Sequence, residues 1–274
     1  MQQKQLLFIT LFLVTYLSSY AQLSKKHFLP PITSDDPIEN QYIYISTPKN
    51  QNIGFKITPI GQPETSIING TVSNTTSYET SSAAIGNQLF QNSNSTSVIT
   101  NNKGYIIEAD DVIYVSVRMR SQNGFQAGAI VSKGSSALGT NFRMGGFSNN
   151  SPTGGYLNFV SVMATEDDTN VNFDDISPGI TINNYTQTGI NPINITLDEG
   201  ETYIVSVSVN SGGDTNDLIG TLVNSDKPIV VNSGSATGSF AAGNGRDYGV
   251  DQIVDASKVG TEYIFVRGDG NDEW

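Results

Sequence analysis

Acidic residues are the most numerous groups in this chain that could do chemistry, and their clustering suits glycoside hydrolysis. Such enzymes use two carboxylates, one as general acid and one as nucleophile or base. The candidates are Glu166, Asp167, Asp168, Asp174, Asp175, Glu199 and Glu201. The same acids also suit turns between strands, at residues 166–169 and 197–201. The sequence favours turns, because the single tryptophan, Trp274, ends the chain and no aromatic cleft for a sugar is evident.

Two loops rich in Asp and Asn carry oxygen atoms that could bind calcium. Calcium takes six to eight oxygen ligands, which carboxylates and amides supply. The candidate ligands are Asp214, Asn216 and Asp217 in the first loop and Asp269, Asn271 and Asp272 in the second. Neither loop has the full spacing of a known calcium-binding loop. Calcium is therefore left open as a ligand, and no other cofactor is expected.

The chain has one histidine and no cysteine. This composition excludes thiol catalysis and transition-metal sites built from several histidines. A Ser-His-Asp triad would have to use His27. That residue leads into Phe28, Leu29 and two prolines, which is an extended segment and not a catalytic turn. We therefore predict that His27 packs at a domain edge and that the protein is not an enzyme.

The first 21 residues have the layout of a cleavable export signal. Lys4 is their only charge, an apolar run extends from Leu6 to Leu17, and small residues precede Ala21. The run is shorter than the roughly 20 residues that span a bilayer as a helix. We predict cleavage after Ala21 and no transmembrane segment in the mature chain. The expected location is secreted or at the cell surface.

The formal net charge of −12 argues against a nucleic-acid partner, because phosphate binding depends on clustered Lys and Arg. An exported chain without cysteine must be stabilised by a buried core instead of disulfides. The chain is long enough for one large domain or two smaller ones. Exported β proteins without disulfides favour a bacterial source.

Short runs of Val, Ile, Tyr, Phe and Thr, separated by Gly, Asn, Ser, Asp and Pro, predict a nearly all-β mature chain. In residues 203–209 serine alternates with valine, which predicts a strand with one face on the core. Residues 53–59 and 157–164 are predicted as strands, and residues 104–107 and 112–117 as two separate strands. Residues 61–102 are predicted as a long surface loop with one or two weak strands.

An internal repeat organises these strands. Residues 109–115 align with 225–231, and residues 130–143 align with 253–264, so a unit of roughly 120 residues occurs twice. We predict a signal peptide at 1–21, a first β unit at 22–150, and a second unit with the truncated start of a third at 151–274. The expected architecture is antiparallel sheets in sandwich-like units, with a propeller as the alternative. The chain would then be the N-terminal piece of a longer protein.

Three segments resemble the N-terminal domain of the IgGFc-binding protein family. Residues 155–171 match its strand followed by Ala-Thr-x-Asp-x-Thr-x-Val, and residues 197–203 match its Leu-x-x-Gly-Glu-x-Tyr. Residues 217–234 are similar to its Asp-Leu-x-Gly-Thr segment and the Ser-x-Lys-Pro strand that follows. The resemblance extends over most of the chain from His27 onward. It implies an extracellular binding or adhesion module.

The chain also departs from that family. The segment 247–252 lacks the family's histidine, and the family's cysteines are absent, so immunoglobulin binding is not carried over. The variant looks like the form in gliding, adhesive Bacteroidetes, whose surface proteins use type IX secretion. We expect a noncatalytic adhesion module that binds an extracellular protein or glycan. A carbohydrate-active accessory or hydrolase domain and a structural spacer are the alternatives.

Overall fold

A computed structural model describes residues 22–80, 87–122, 126–148, 154–187, 191–238 and 247–260. The helices in these ranges are 3-10 turns of three or four residues, and none of them could cross a membrane. The strands in these ranges are β1 (Ser24–Leu29), β2 (Ile32–Ser34), β3 (Ile38–Ser46), β4 (Ile53–Pro59), β5 (Ile68–Val72), β6 (Tyr78–Thr80), β7 (Phe90–Asn92), β8 (Tyr105–Ser121), β9 (Ala127–Val131), β10 (Gly139–Arg143), β11 (Leu157–Ala164), β12 (Thr169–Asp174), β13 (Ile193–Leu197), β14 (Thr202–Ser208), β15 (Leu222–Gly238) and β16 (Asp247–Ile253).

The first sheet is built around β8, a strand of 17 residues. The first half of β8 pairs with β1 on one side and β4 on the other, and its second half pairs with β3 and β9. Strands β5 and β6 extend the sheet from β4 and β3. All of these pairings are antiparallel. One long strand thus pairs with two different sets of neighbouring strands. The sheet bends around β8 as a result.

The second sheet repeats this plan around β15, which also has 17 residues. Its first half pairs with β10 and β12, and its second half pairs with β11 and β16. Strands β13 and β14 lie beyond β12 and β11. The pairing of β1 with β8 shifts register between Ser24 and Lys26, and that of β10 with β15 shifts between Gly139 and Asn141. The two sheets therefore share both their strand order and the position of a register shift.

The prediction of an all-β chain of repeated antiparallel sheets is confirmed. The propeller alternative assumed blades of four strands, whereas each large sheet has seven. Strands β2 and β7 form a separate parallel pair.

The aligned segments 109–115 and 225–231 lie in the central strands β8 and β15. Strand β10 starts the second sheet from inside the range predicted for the first unit, and the boundary at residue 150 stays a prediction.

The hydrophobic core is continuous between the sheets. Leu157 and Phe159 of β11 and Ile204 of β14 pack with the interior side chains of the first sheet. Their neighbours Val160 and Val205 point the other way, into a core made within the second sheet. Every residue of β11 and of β14 is buried. The middle of the second sheet is consequently covered on both faces.

This burial corrects one prediction. The serines of β14 were expected to face away from the core, yet Ser206 and Ser208 are fully buried. Ser206 Oγ lies 3.1 Å from Thr96 Oγ1 and accepts a hydrogen bond from Asn183 Nδ2 at 3.0 Å. Ser208 Oγ donates to Asp35 Oδ2 at 2.8 Å. Small hydroxyls suit a polar contact between two packed layers, where each buried group needs a partner.

Candidate functional site

The acidic residues proposed for hydrolysis lie in turns of the second sheet. Asp167 Oδ1 accepts a hydrogen bond from the backbone N–H of Glu199 at 3.0 Å. In return, Asp198 Oδ1 accepts from the backbone N–H of Asp168 at 3.1 Å. The turn between β11 and β12 and the turn between β13 and β14 therefore cap each other. Carboxylates that satisfy backbone donors in this way stabilise turns.

Four of the remaining acids also have partners for their carboxylates: Asp174, Asp175, Glu199 and Glu201. Glu201 Oε2 accepts from the backbone N–H of Asp198 at 3.0 Å, within one turn. Asp175 follows β12 and so lies at the opposite end of that strand from Glu166. Its carboxylate lies 2.6 Å from the guanidinium of Arg143. The backbone oxygen of Glu166 accepts from Thr169 Oγ1 at 2.6 Å. The structure therefore spreads the predicted acids over two turns and the far end of β12, and most of their carboxylates have structural partners.

His27 lies in a buried polar network where the first sheet meets β16. Its Nε2 lies 3.1 Å from the carbonyl oxygen of Ile113 and 3.2 Å from that of Ser24. Because carbonyl oxygens only accept, Nε2 carries a proton. Its Nδ1 lies 3.0 Å from Ser132 Oγ. Burial lowers the pKa of His27, although hydrogen bonds to the Ile113 and Ser24 carbonyls oppose that shift.

The network continues from Ser132 to Gln252, and not to a carboxylate. Ser132 Oγ lies 3.1 Å from Gln252 Oε1, which also accepts from the backbone N–H of Lys133 at 2.7 Å. Gln252 Nε2 donates to the carbonyl oxygen of Phe28 at 2.9 Å. His27, Ser132 and Gln252 are fully buried. A substrate could not reach this serine, so the arrangement ties β1 to β16 and does not form a triad.

The first calcium candidate is a helix cap in the described structure. Asp214 Oδ1 accepts from the backbone N–H of Asn216 at 3.0 Å, at the start of the 3-10 helix Thr215–Leu218. In the part of the chain that the structure describes, no three Asp, Glu or His side chains group around a common point. Asp269, Asn271 and Asp272 lie outside the described residues. Calcium binding stays a prediction.

A groove of about 450 Å³ lies on the first sheet beside Gly54 and Gly70. Two of its charged residues pair with each other, since Lys56 lies 2.9 Å from Glu108, and the third is Asp110. The Lys56 ammonium, through its hydrogen bond and charge, lowers the pKa of Glu108 below its usual range. The single positive charge of this groove is therefore neutralised by Glu108, and its lining is acidic overall.

A second depression, of about 270 Å³, lies on the outer side of β3 and β8. We call its four outward side chains, Tyr42, Tyr44, Arg118 and Arg120, the tyrosine–arginine face. The two tyrosines are half-buried and the two arginines are exposed. Tyr42 is directly opposite Arg118 in the strand pairing. Alternation along two adjacent strands therefore brings these four side chains to one surface.

Ring and charge contacts order this face. The ring centroids of Tyr42 and Tyr44 are 6.4 Å apart, with the ring planes inclined by 33°. The Arg118 guanidinium lies 5.3 Å from the centre of the Tyr44 ring, within cation–π range. Arg120 contacts Glu39 at 3.5 Å, and both side chains of this pair are about half exposed. The face is thus a preformed group of rings and guanidinium planes on an acidic protein.

Sequence reasoning did not single out these four residues. The alternation of tyrosine in residues 42–44 and of arginine in residues 118–120 was the available signal. The pairing of β3 with β8, across more than 70 residues of sequence, was needed to bring the two patterns together.

The structure thus combines a repeated all-β fold with an exposed face of aromatic and cationic side chains. The family model described as IgGFc binding protein matches residues 127–274, which is more than half of the chain. The chain belongs to this family, which is a family of extracellular binding domains. No curated protein and no solved structure matches it. The matched range begins at β9, later than the resemblance from His27 indicated, and the tyrosine–arginine face precedes it.

Proposed function

We propose that this protein is a noncatalytic adhesion module that binds an extracellular protein or glycan through the tyrosine–arginine face. The observation that carries the proposal is the placement of Arg118 over Tyr44, beside Tyr42, on an exposed sheet surface. Tyrosine and arginine dominate binding hot spots, because they combine large contact area with directed hydrogen bonds. Family membership supports a binding role without naming the partner.

Bead adhesion tests this function. Beads displaying the mature chain are washed over surfaces coated with extracellular-matrix proteins or with glycans, and retention is counted. Tyr44→Ala and Arg118→Gln should lower retention at least tenfold on the surface that is bound. Arg143→Gln is the matched control, because it removes the same charge from an exposed residue of the second sheet. Equal retention of all the variants would place adhesion outside this face, and no retention on any surface would favour the spacer alternative.

The hydrolase alternative makes a separate prediction. A screen of glycoside substrates that found turnover, lost in Glu166→Gln or Glu199→Gln, would replace the adhesion proposal with an enzymatic one. We expect no turnover, because the carboxylates next to these residues bond to backbone donors of the turns.

The route to the surface forms a further part of the proposal. Residues 1–21, outside the described structure, would act as an export signal, and the resemblance to Bacteroidetes proteins supports type IX secretion and outer-membrane association. The predicted units, 22–150 and 151–274, would follow the signal. N-terminal sequencing of the exported protein should begin at Gln22. A protein that retains Met1 would refute cleavage.

Calcium would act as an accessory ligand at residues 214–217 and 269–272. Thermal melting with and without added calcium tests this, and a rise in the midpoint that is lost in Asp214→Asn would support it. Asp214→Asn keeps an oxygen that can accept from the Asn216 N–H, so it separates calcium binding from helix capping.

A further inference from the structure

We propose that the tyrosine–arginine face binds an anionic glycan, a chain of sugars that carries carboxylate or sulfate groups. This inference rests on the proposed binding function and names its ligand class. The face offers two kinds of contact: tyrosine rings for the apolar faces of sugar rings and guanidinium groups for their acidic substituents. Both kinds are present within one depression of about 270 Å³.

The arginines are placed for a ligand with repeated negative charges. Arg118 and Arg120 are two residues apart on one side of β8, a separation of about 7 Å along a strand. A guanidinium forms paired hydrogen bonds with carboxylate or sulfate oxygens, which a lysine ammonium cannot match. A linear polyanion lying along β8 would meet both arginines in turn.

The charges around the arginines leave them open to such a ligand. Among the described residues, no ion pair within 4.0 Å involves Arg118, whose guanidinium rests on the Tyr44 ring. Arg120 pairs with Glu39, but an exposed pair of this kind contributes about 0–1 kcal/mol. Two further carboxylates lie near this surface: Glu79 is opposite Tyr44 on β6, and Asp247 accepts from the backbone N–H of Ala127, which is opposite Arg120. An incoming anion can therefore displace Glu39 at little cost.

The overall charge makes a local site necessary. With a formal net charge of −12, the protein repels acidic polymers at long range, so an anionic glycan must bind where positive charge is concentrated. The large exposed hydrophobic side chains of the described chain are Val98, Ile99 and Val259, and none of these belongs to β3 or β8. Among the described residues, the face thus offers ring surfaces and guanidinium groups without a large exposed aliphatic side chain, a combination that suits the ring faces and acidic groups of a glycan.

Binding of four defined polymers to the mature chain tests this inference. The probes are polygalacturonate for carboxylated sugars, dextran sulfate for sulfated sugars, neutral dextran, and polyglutamate for an acidic polypeptide. Titration calorimetry should show binding of polygalacturonate, dextran sulfate or both, and this comparison identifies the acidic group. The affinity should fall as salt is raised, because exposed charges are screened.

Variants of the tyrosine–arginine face test whether the glycan binds there. Arg118→Gln combined with Arg120→Gln should weaken binding at least tenfold, and so should Tyr44→Ala. Tyr44→Phe should retain binding, because it keeps the ring. Arg143→Gln should leave affinity unchanged, and thermal melting should show that each variant is folded.

Three results would overturn the inference: no binding to either anionic glycan, equal binding to neutral dextran, or equal or tighter binding to polyglutamate. Beads that adhere to a protein surface through the same face, without affinity for either glycan, would leave the adhesion function in place and refute only the ligand class.

Discussion

Nδ1 of His27 lies 3.0 Å from Oγ of Ser132, and both side chains are fully enclosed where β1 meets β16. The two residues are 105 positions apart. Their contact shows how a pair typical of catalysis can serve packing instead. The third partner is the amide of Gln252, which cannot stabilise a buried imidazolium as a carboxylate would.

Acid should destabilise the protein through His27. Burial lowers its pKa in the folded state, so the unfolded chain binds the proton more tightly. The stabilising contribution is complete above the unfolded pKa of about 6.5 and is lost as pH falls below that value. One proton changes the free energy of unfolding by at most about 1.4 kcal/mol per pH unit. Urea unfolding between pH 7 and pH 5 should give a shallower pH slope for His27→Gln than for the wild type, and equal slopes would contradict this assignment.

Asp255 should stabilise the junction between β10 and the segment after β16. Burial raises the pKa of this carboxyl, but hydrogen bonds from Ser257 and from the backbone N–H groups of Thr140 and Asn141 outweigh it and lower the pKa to about 2. Its contribution is present above pH 3.8 and declines as pH falls towards 2. Asp255→Ala should lower the free energy of unfolding by about 2–3 kcal/mol, since charged hydrogen bonds are lost.

Two measurements separate the roles of charge and shape at Asp255. Chemical unfolding at pH 7 gives the size of the loss. Repeating it near pH 2.5 should show a smaller difference between wild type and variant, because the wild-type carboxyl approaches protonation there. A loss of the same size at both pH values would assign the effect to packing.

Gly234 permits the close approach of β15 and β16. A Cβ at this position would lie 2.1 Å from the carbonyl oxygen of Gly249. Gly234→Ala should therefore cost about 1–3 kcal/mol, because the strands must separate. Gly145→Ala is the control, since a Cβ there would meet nothing within 4 Å. Comparison of urea midpoints tests this prediction, and equal midpoints for the two variants would refute it.

The continuous core should make the two sheets unfold together. Phe159 is fully buried and packs with side chains of the first sheet although it belongs to the second. Calorimetry of the mature chain should give one transition, with equal calorimetric and van't Hoff enthalpies. Phe159→Ala should shift that whole transition downward, at a cost of about 3–5 kcal/mol. Two resolved transitions would show that the sheets are independent.

Local pattern predicted several strands closely. β4 and β11 have the bounds expected from their runs of Ile, Val and Phe, because side-chain alternation and burial are local properties. The region 61–102, expected to be a long surface loop with one or two weak strands, contains three short strands, β5, β6 and β7. These strands are three to five residues long, and their polar residues carry little periodic signal.

The central strands were harder to predict. Residues 104–107 and 112–117 were expected to form two strands, because Asp110 and Asp111 interrupt the apolar pattern. Apart from Gly104, they lie in one strand, β8, whose partners change at about Asp110 and Asp111. Lys49 lies 3.0 Å from Asp111, and Lys25 Nζ donates to the backbone oxygen of Asp110 at 2.8 Å. Contacts with these distant lysines thus stabilise Asp110 and Asp111 within a strand that the two acids appeared to end.

The sequence by itself determined the β class, the repeated unit and the placing of most acids in turns. Side-chain alternation, turn residues and internal repeats can all be recognised in the sequence without knowing which strands pair. Only the tertiary structure decided that the serines of β14 are buried, that His27 and Ser132 meet, and that Tyr42 and Tyr44 share a surface with Arg118 and Arg120. The physical reason is strand pairing. The residues that a strand faces depend on which distant strand lies beside it and in which register, and neighbouring residues do not encode that choice.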